Sequence, residues 1–203
     1  MRFIPVTKVY DRDYFDRWYR SARRAVEPAV VRRKARLALS AAEHLLGRDV
    51  RTVLDVGCGE APWRGVLRRM RRGITYTGVD ASEYAVRRYG RTRNIRLGSL
   101  AQLDRVRLAR SYDLVICSDV LQYVPNAEVR AGLRAMANRT GGVAFIEAFT
   151  AGDDMTGDRL LWHARSAAWY RRVFAEAGFT PLGLHLYVAP RMLGAINELE
   201  RLA

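Results

Sequence analysis

The sequence predicts an α/β fold: a doubly wound, mainly parallel sheet of six or seven strands, with helices on both faces and an N-terminal helical extension. Two observations carry this prediction. Short apolar segments alternate along the chain with amphipathic ones, and this alternation is typical of βαβ units around a parallel sheet. The first apolar segment, residues 52–56, also runs directly into the glycine turn Gly57-Cys58-Gly59.

The individual elements follow from local patterns. Apolar runs bounded by turn residues predict six strands, near residues 52–56, 75–79, 94–97, 112–117, 142–148 and 180–188. Apolar residues three or four apart predict helices over 13–24, 28–46, 62–71, 82–89, 101–108, 126–138 and 166–177. Asn126 and Ser166 are predicted N-caps, and Gly178 a C-terminal stop. A last helix over 190–202 implies that a seventh strand is missing or displaced.

Length and composition set further bounds. The 203 residues suit one well-packed domain. We therefore expect a single domain over 1–203, in which residues 1–48 form a helical lid or extension and 49–203 form the core. No apolar run approaches the ~18 residues of a membrane span, and no long apolar signal core begins the chain, so a soluble cytoplasmic protein is expected. Cys58 and Cys117 suggest neither disulfides nor a metal cluster.

The net charge of +14 raises the question of a polyanionic partner, because unspecific binding to nucleic acid is electrostatic. Lys8 and Lys34 are the only lysines, and arginines are spread through nearly every predicted helix. The densest basic clusters are residues 20–24 and 68–72. This spread favours a solvated basic surface over a nucleic-acid groove.

The glycine turn and a later aspartate together predict a nucleotide site. Asp80 follows the second strand, and a carboxylate at that position can accept hydrogen bonds from both ribose hydroxyls. A dinucleotide fold has a third glycine where this chain has Pro62, which weakens the prediction of a bound pyrophosphate.

The pattern Asp55-Val56-Gly57-Cys58-Gly59 resembles motif I of the class I, Rossmann-like S-adenosylmethionine-dependent methyltransferases. Residues 76–82, 94–100, 111–124 and 141–149 resemble the later strands of that superfamily. The resemblance implies S-adenosyl-L-methionine as cofactor and S-adenosyl-L-homocysteine as product. It implies that Asp55 organises the glycine loop and the methionine ammonium, and that Asp80 binds the ribose. The implied cofactor residues are Asp55, Gly57, Cys58, Gly59, Asp80, Ala81, Ser99, Leu100, Ser118 and Asp119.

Two departures from the superfamily pattern stand out. Ala61 replaces the usual third small residue, which still leaves room for a close approach of the backbone. Ser99 stands where many relatives have an aspartate for the adenine amino group, so its hydroxyl or the Leu100 amide would take that place.

Methyl transfer is an in-line displacement, in which the protein chiefly aligns the acceptor, and a base is needed only for a protonated acceptor. No residue identifies itself as that base. The candidates are His163, in a loop near the sheet edge, and Asp119 and Glu147, near the carboxyl ends of strands. Residues 118–123 lack the Asn/Asp-Pro-Pro-aromatic signature of many base-amino methyltransferases.

Four aromatic residues are candidates for the substrate pocket. Tyr14 and Trp18 share one helical face, which either covers the cofactor or docks on the core, while Tyr123 and Trp162 are candidates through their aromatic side chains. The loop 150–158 is the candidate mobile segment. The expected function is methyl transfer to an oxygen or nitrogen of a small organic acceptor by a monomer or homodimer without membrane or metal. The alternatives are an RNA methyltransferase and an inactive cofactor-binding regulatory protein.

Overall fold

The computed structural model describes residues 8–21, 26–154 and 158–200. Its centre is a seven-stranded sheet in the order β3-β2-β1-β4-β5-β7-β6. Strands β1 to β5 are parallel, and β7 runs antiparallel to both β5 and β6. The strand bounds are Thr52–Val56, Thr75–Asp80, Ile95–Leu97, Tyr112–Ser118, Thr140–Glu147, Thr180–Gly183 and Leu186–Val188.

Six α-helices accompany the sheet in the described part of the chain. They are α1 to α6 in chain order, with the bounds Arg12–Phe15, Pro28–Leu46, Pro62–Met70, Glu83–Arg93, Asn126–Ala137 and Ala167–Glu176. A π-helical turn, Asp16–Arg20, continues α1. Short 3-10 turns lie at Leu100–Gln102, Leu121–Tyr123, Pro190–Ala195 and Glu198–Glu200.

The sheet carries a hydrophobic core on each face. Val53 and its neighbours of the same orientation pack against α2 and α3 through Ala35, Leu39 and Leu67. Leu54 and the residues of opposite orientation pack against α5 and α6, at positions such as Leu133. Because successive side chains of a strand point to opposite faces, strands buried on both faces are apolar almost throughout, and the prediction of a doubly wound fold is confirmed.

The C-terminal region differs from the prediction. The expected single strand over 180–188 is a hairpin, and the seventh strand is therefore present. Leu184 and His185 have φ of 50° and 66°, and two consecutive residues with positive φ reverse the chain in a tight turn. The helix expected over 190–202 consists, as far as residue 200, of the two short 3-10 turns.

Other predicted elements are shorter or shifted. The helix expected over 101–108 is reduced to the 3-10 turn Leu100–Gln102, and the first predicted helix begins at Arg12, with residues 22–25 outside the described part. Asn126 is the first residue of α5 rather than its N-cap, and its side chain accepts a hydrogen bond from Arg165. The Ser166 cap is confirmed by its bond from the Trp169 amide, and Gly178 follows α6 with φ of +89°.

Asp113 joins the beginnings of the two central strands, β1 and β4. Its carboxylate accepts hydrogen bonds from the Arg51 amide at 2.7 Å, the Thr52 amide at 3.1 Å and the Arg48 guanidinium at 2.7 and 3.2 Å. Burial alone would raise the pKa of Asp113, but the bonds from Arg48 and the two amides outweigh it and lower the pKa. The carboxylate thus ties the beginning of β4 to the beginning of β1.

Among the described residues, no helix combines the length and the apolar character that crossing a bilayer requires.

The Asp113→Asn variant is expected to lower the free energy of unfolding by about 2 to 3 kcal/mol, because the amide nitrogen faces donors that then lack an acceptor. The pKa of Asp113 in the folded protein is below the ordinary value of 3.8. The stability advantage of the wild type over the variant is therefore present above pH 3.8 and is lost as the pH falls through the lower pKa of the folded state. Urea unfolding across pH measures it. The control is Asp104→Asn, whose exposed carboxylate pairs with Arg139 and which should change stability by less than about 0.5 kcal/mol; equal effects of the two variants would contradict this account.

Candidate active site

A cavity of about 360 Å³ lies over the carboxyl ends of β1, β2 and β4. Strands β1 and β4 are neighbours, while the chain proceeds outward from them in opposite directions. Ligands of doubly wound folds bind at this point, where the strand order reverses. The cavity has a floor of strand ends and glycine turn, and a cover formed by residues 8–21, named here the N-terminal cover.

The glycine turn brings bare backbone to the cavity wall. The amides of Gly57 and Cys58 donate to the Val79 carbonyl oxygen at 2.8 and 3.2 Å, which ties the turn to β2. Gly57 and Gly59 have φ of +70° and +52°, and a Cβ on Gly57 would lie 2.3 Å from Val120 Cγ2. These positions accept glycine alone without displacing a neighbour.

Asp55 is buried beneath this turn, and its carboxylate accepts a hydrogen bond from the Tyr76 hydroxyl at 2.6 Å. Burial raises the pKa of Asp55 to about 7, the nearby Asp80 adds to the rise, and the bond from Tyr76 opposes it. The side chain also lines the cavity. A carboxylate held in this way attracts a cationic group that displaces its proton.

Asp80 ends β2 and lies at the cavity wall with its orientation fixed by two amides. Gly59 N–H donates to Oδ2 at 2.6 Å and Ser82 N–H donates to Oδ1 at 2.8 Å. Burial raises the pKa of Asp80, although both amide bonds favour the charged form. Each oxygen keeps a free acceptor position, so the carboxylate can receive a vicinal diol.

The next wall segment is the turn after β3. Ser99 and Leu100 line the cavity, and Ser99 forms a reciprocal capping box with Gln102 at the start of the 3-10 turn. The Ser99 hydroxyl therefore already accepts a backbone N–H.

Asp119 lies in the turn after β4, with a left-handed backbone at φ of 63°. Its amide donates to the Glu147 carbonyl oxygen at 3.1 Å, and its carboxylate accepts a hydrogen bond from the buried Gln122 amide. Burial raises the pKa of Asp119 to about 6 despite the Gln122 bond; Glu147 adds to the rise, and Lys34 and Lys8 oppose it. A second carboxylate, Glu147, lies behind the wall and accepts from Lys34 Nζ at 2.5 Å and Ser118 Oγ at 2.7 Å.

A buried arginine shapes the same turn. The Arg165 guanidinium donates to the carbonyl oxygens of Leu121, at 2.8 Å, and of Val124, and its Nε donates to Asn126 Oδ1 at 2.7 Å. Its charge also lies 4.6 Å from the centre of the Trp169 ring. Arg165 thus supplies the donors that the irregular backbone after β4 requires.

The N-terminal cover is held to the core by packing and by polar contacts. Phe15 is buried and stacks on Tyr84 of α4 with ring centres 5.6 Å apart. The Ser82 hydroxyl donates to the Tyr10 carbonyl oxygen at 2.6 Å, and Arg20 pairs with Glu60 of the glycine loop. The cover is therefore fastened to the loop that it overlies.

Lys8 fastens the opposite end of the cover. Its ammonium pairs with Asp158 at 2.7 Å and lies 3.4 Å from the centre of the Tyr123 ring, and the Tyr123 hydroxyl donates to the Asp158 carbonyl oxygen at 2.7 Å. Burial lowers the pKa of Lys8, although the bond to Asp158 works against the change.

The structure brings most of the sequence-predicted site residues to one cavity. All ten predicted cofactor residues line it, together with Tyr14, Trp18 and Tyr123 of the predicted substrate set. Their roles stay predictions. Glu147, Trp162 and His163 are absent from the wall, and the His163 side chain is exposed while its backbone N–H donates to the Gln122 carbonyl oxygen. A base or ligand role for His163 therefore has no geometric support. Residues 155–157 of the predicted mobile loop lie outside the described part.

Sequence reasoning missed Lys8, Lys34, Tyr76 and Arg165 as residues that organise the site. A signal was present for the lysines, since they are the only two in a chain whose other basic residues are arginines, and both pair with acids beside the cavity. Nothing local to Arg165 separates it from the other arginines.

The Gly57→Ala variant is expected to be about 1 to 3 kcal/mol less stable than Gly47→Ala, because its new Cβ overpacks Val120. The two glycines have φ of +70° and +63°, and a Cβ at Gly47 meets nothing within 4 Å. Backbone strain is thus shared, and only the steric clash differs. Thermal unfolding of both variants measures the difference, and equal losses would show that the wall at Gly57 is open.

The sequence and the fold are similar to those of known methyltransferases. A profile described as a methyltransferase domain matches residues 19–182. No curated protein matches the sequence. Among solved structures, an O-methyltransferase family protein from Burkholderia thailandensis is 19% identical with a TM-score of 0.54, over 78% of this chain and 55% of that chain. An S-adenosylmethionine-dependent methyltransferase from Clostridium acetobutylicum is 13% identical with a TM-score of 0.62, over 84% and 87%.

A third similar structure is an O-methyltransferase from neocarzinostatin biosynthesis, in complex with S-adenosyl-L-homocysteine and 1,4-dihydroxy-2-naphthoic acid. It is 19% identical with a TM-score of 0.55, over 80% of this chain and 56% of that chain. The chain therefore spans little more than half of the length of two of these proteins. These likenesses concern the fold, whereas the family profile covers most of the chain. This chain belongs to the methyltransferase domain family, among the class I, Rossmann-like S-adenosylmethionine-dependent methyltransferases.

Proposed function

We propose that this chain transfers a methyl group from S-adenosyl-L-methionine to an oxygen or nitrogen of a small organic acceptor. The observation that carries the proposal is the covered cavity, whose wall joins the ten predicted cofactor residues to the aromatic side chains of the N-terminal cover. The small organic molecule bound to the O-methyltransferase from neocarzinostatin biosynthesis supports the acceptor class by analogy.

The residues present fit this cofactor. Asp80 has one free acceptor position on each oxygen for the two ribose hydroxyls, and its orientation is fixed by the Gly59 and Ser82 amides. Asp55 would hold the methionine ammonium, and the bare turn at Gly57 admits a ligand close to the backbone. The Ser99–Leu100 turn would contact the adenine.

The bound cofactor supplies an electrophilic methyl group on a sulfonium. The chain's own residues then have two tasks. The wall after β4, with Asp119 and Tyr123, orients the acceptor and can take up its proton, and the N-terminal cover excludes water from the reacting groups. Alignment of this kind provides most of the acceleration that a displacement needs from a protein.

RNA methylation is a second candidate, because the net charge is +14. Salt-sensitive RNA binding coupled to methyl transfer would support it, and indifference to RNA would remove it. An inactive cofactor-binding regulatory protein is the third, and turnover of any acceptor would remove that one. Three further expectations stay predictions: a single domain whose N-terminal extension ends at residue 48, a cytoplasmic location, and a monomeric or homodimeric state.

Calorimetric titration with S-adenosyl-L-methionine, S-adenosyl-L-homocysteine and NAD tests the cofactor. The first two are expected to bind and the third not. Asp80→Ala should weaken binding at least tenfold, about 1.4 kcal/mol, because it removes charged hydrogen bonds to the ribose. Asp104→Ala, which removes an exposed carboxylate paired with Arg139, is the control and should bind as the wild type does. A preference for NAD, or unchanged binding by the Asp80 variant, would refute the assignment.

Cofactor affinity is expected to rise with pH between about 5.5 and 7, below the α-amino pKa of about 7.7 to 8.0. The pKa of Asp55 is raised to about 7 in the folded protein, and an ammonium binds the carboxylate rather than the acid. Each pH unit below that value should therefore weaken binding up to about tenfold. Titrations in two buffers of different ionisation enthalpy detect the released proton. Asp55→Asn should bind more weakly and with a flat profile; the same slope in this variant would assign the proton to another group.

A further inference from the structure

The charge of the cavity is opposite to the charge of the chain. The chain carries +14, yet the described residues of the wall include one basic side chain, Lys34, against six carboxylates: Glu27, Asp55, Asp80, Asp119, Glu128 and Asp158. Chance placement in so basic a chain would give the reverse balance. A wall of this sign lowers the energy of a cation and raises that of an anion.

The excess of carboxylates persists after Asp55 and Asp80, the two assigned to the cofactor's ammonium and ribose, are set aside. Under the proposed function Asp55 and Asp80 hold the cofactor, which leaves four carboxylates around the remaining space. Lys34 does not offset them, because its ammonium lies 2.5 Å from Glu147, a carboxylate behind the wall. Lys8 does compensate one of the four, because it pairs with Asp158, so the excess is carried by three carboxylates: Glu27, Asp119 and Glu128.

Asp119 is the carboxylate best placed to receive a ligand. Its side chain lines the cavity in the turn after β4, whereas Glu27 is exposed. The bond from Gln122 fixes its orientation. Lys8, Lys34 and Glu147 are the other charged groups whose fields reach it.

Two aromatic rings of the cavity wall contact an ammonium in this structure, that of Lys8, which is not itself among the lining residues. Lys8 Nζ lies 3.4 Å from the centre of the Tyr123 ring and 5.6 Å from that of Tyr14, and both rings line the cavity together with Trp18 and Trp63. Cations bind over the faces of such rings, most strongly where water is excluded.

We propose that the methyl acceptor is an amine with an apolar or aromatic body, that it enters as an ammonium, and that Asp119 is the carboxylate that receives it. This inference rests on the proposed methyl transfer and narrows its acceptor from oxygen or nitrogen to nitrogen. Acceptors that react as phenolate or carboxylate are anions, and the carboxylate wall disfavours them.

The reaction balances with the groups present. The ammonium gives one proton to the Asp119 carboxylate and becomes a neutral amine. The nitrogen lone pair forms the bond to the methyl carbon while the carbon–sulfur bond breaks, and its electron pair stays on sulfur. The positive charge of the sulfonium thereby moves to the methylated nitrogen, next to the carboxylate wall, and the proton on Asp119 passes to solvent.

Three probes of the same shape test the site: 2-phenylethylamine, 2-phenylethanol and 3-phenylpropionate, each titrated calorimetrically with and without S-adenosyl-L-homocysteine. The amine is expected to bind at least tenfold more tightly than the other two. Asp119→Asn should abolish this preference. Asparagine tolerates the left-handed backbone at this position, so the fold is retained, which circular dichroism checks. Glu83→Gln, which removes an exposed carboxylate of α4, should keep the preference.

Equal or tighter binding of the alcohol or the acid overturns the proposal, as does the absence of binding by all three probes, or an amine preference that survives in Asp119→Asn. Methyl transfer to tyramine distinguishes a failure of the amine inference from a failure of the proposed function, because that molecule offers both an amine and a phenol. Label on nitrogen, located by mass spectrometry, supports the inference. Label on oxygen refutes it and leaves the proposed function standing. An amine preference in a protein that binds no S-adenosyl-L-methionine would instead refute the function and leave the ammonium site.

Discussion

The site depends on one constraint, the close attachment of the glycine turn to the end of β2. The Val79 carbonyl oxygen accepts the amides of Gly57 and Cys58, and the Asp80 carboxylate accepts the amide of Gly59. These bonds leave the turn no freedom to move away from the strand, so the backbone itself becomes cavity wall. Other parts of the site are positioned against this wall. Asp55 lies below it, and Tyr19 of the N-terminal cover packs against Gly59.

Charges divide between surface and site in this protein. Arginines supply most of the positive charge and are spread over the exposed helices, while both lysines pair with carboxylates beside the cavity. Among the arginines of the described ranges, Arg165 is the buried exception, because five planar donors suit a turn with several carbonyl oxygens to satisfy. Composition alone suggests a polyanion partner, whereas the inner wall has the sign that attracts cations.

The sequence allowed the parallel part of the fold to be predicted, because strands buried on both faces leave apolar runs and the turn at Gly57 requires glycine. The hairpin was missed since Leu184 and His185 adopt positive φ without the Asn-Gly or Gly-Gly signal that such turns usually carry. Lys8 and Arg165 depend on partners far away in sequence, which no local pattern encodes. His163 was chosen for its residue type and loop position, and neither determines the direction of a side chain.

The way in which the N-terminal cover is anchored bears on how fast ligands exchange. Its two ends are held by ion pairs, Lys8 with Asp158 and Arg20 with Glu60, and its middle by the packing of Phe15 against Tyr84. Phe15 is also packed beside Gly59 of the glycine turn, so lifting the cover from the cavity would require this hydrophobic contact to open. Such an opening is a local unfolding of one short helix, and it would give ligand exchange a barrier separate from that of the chemical step.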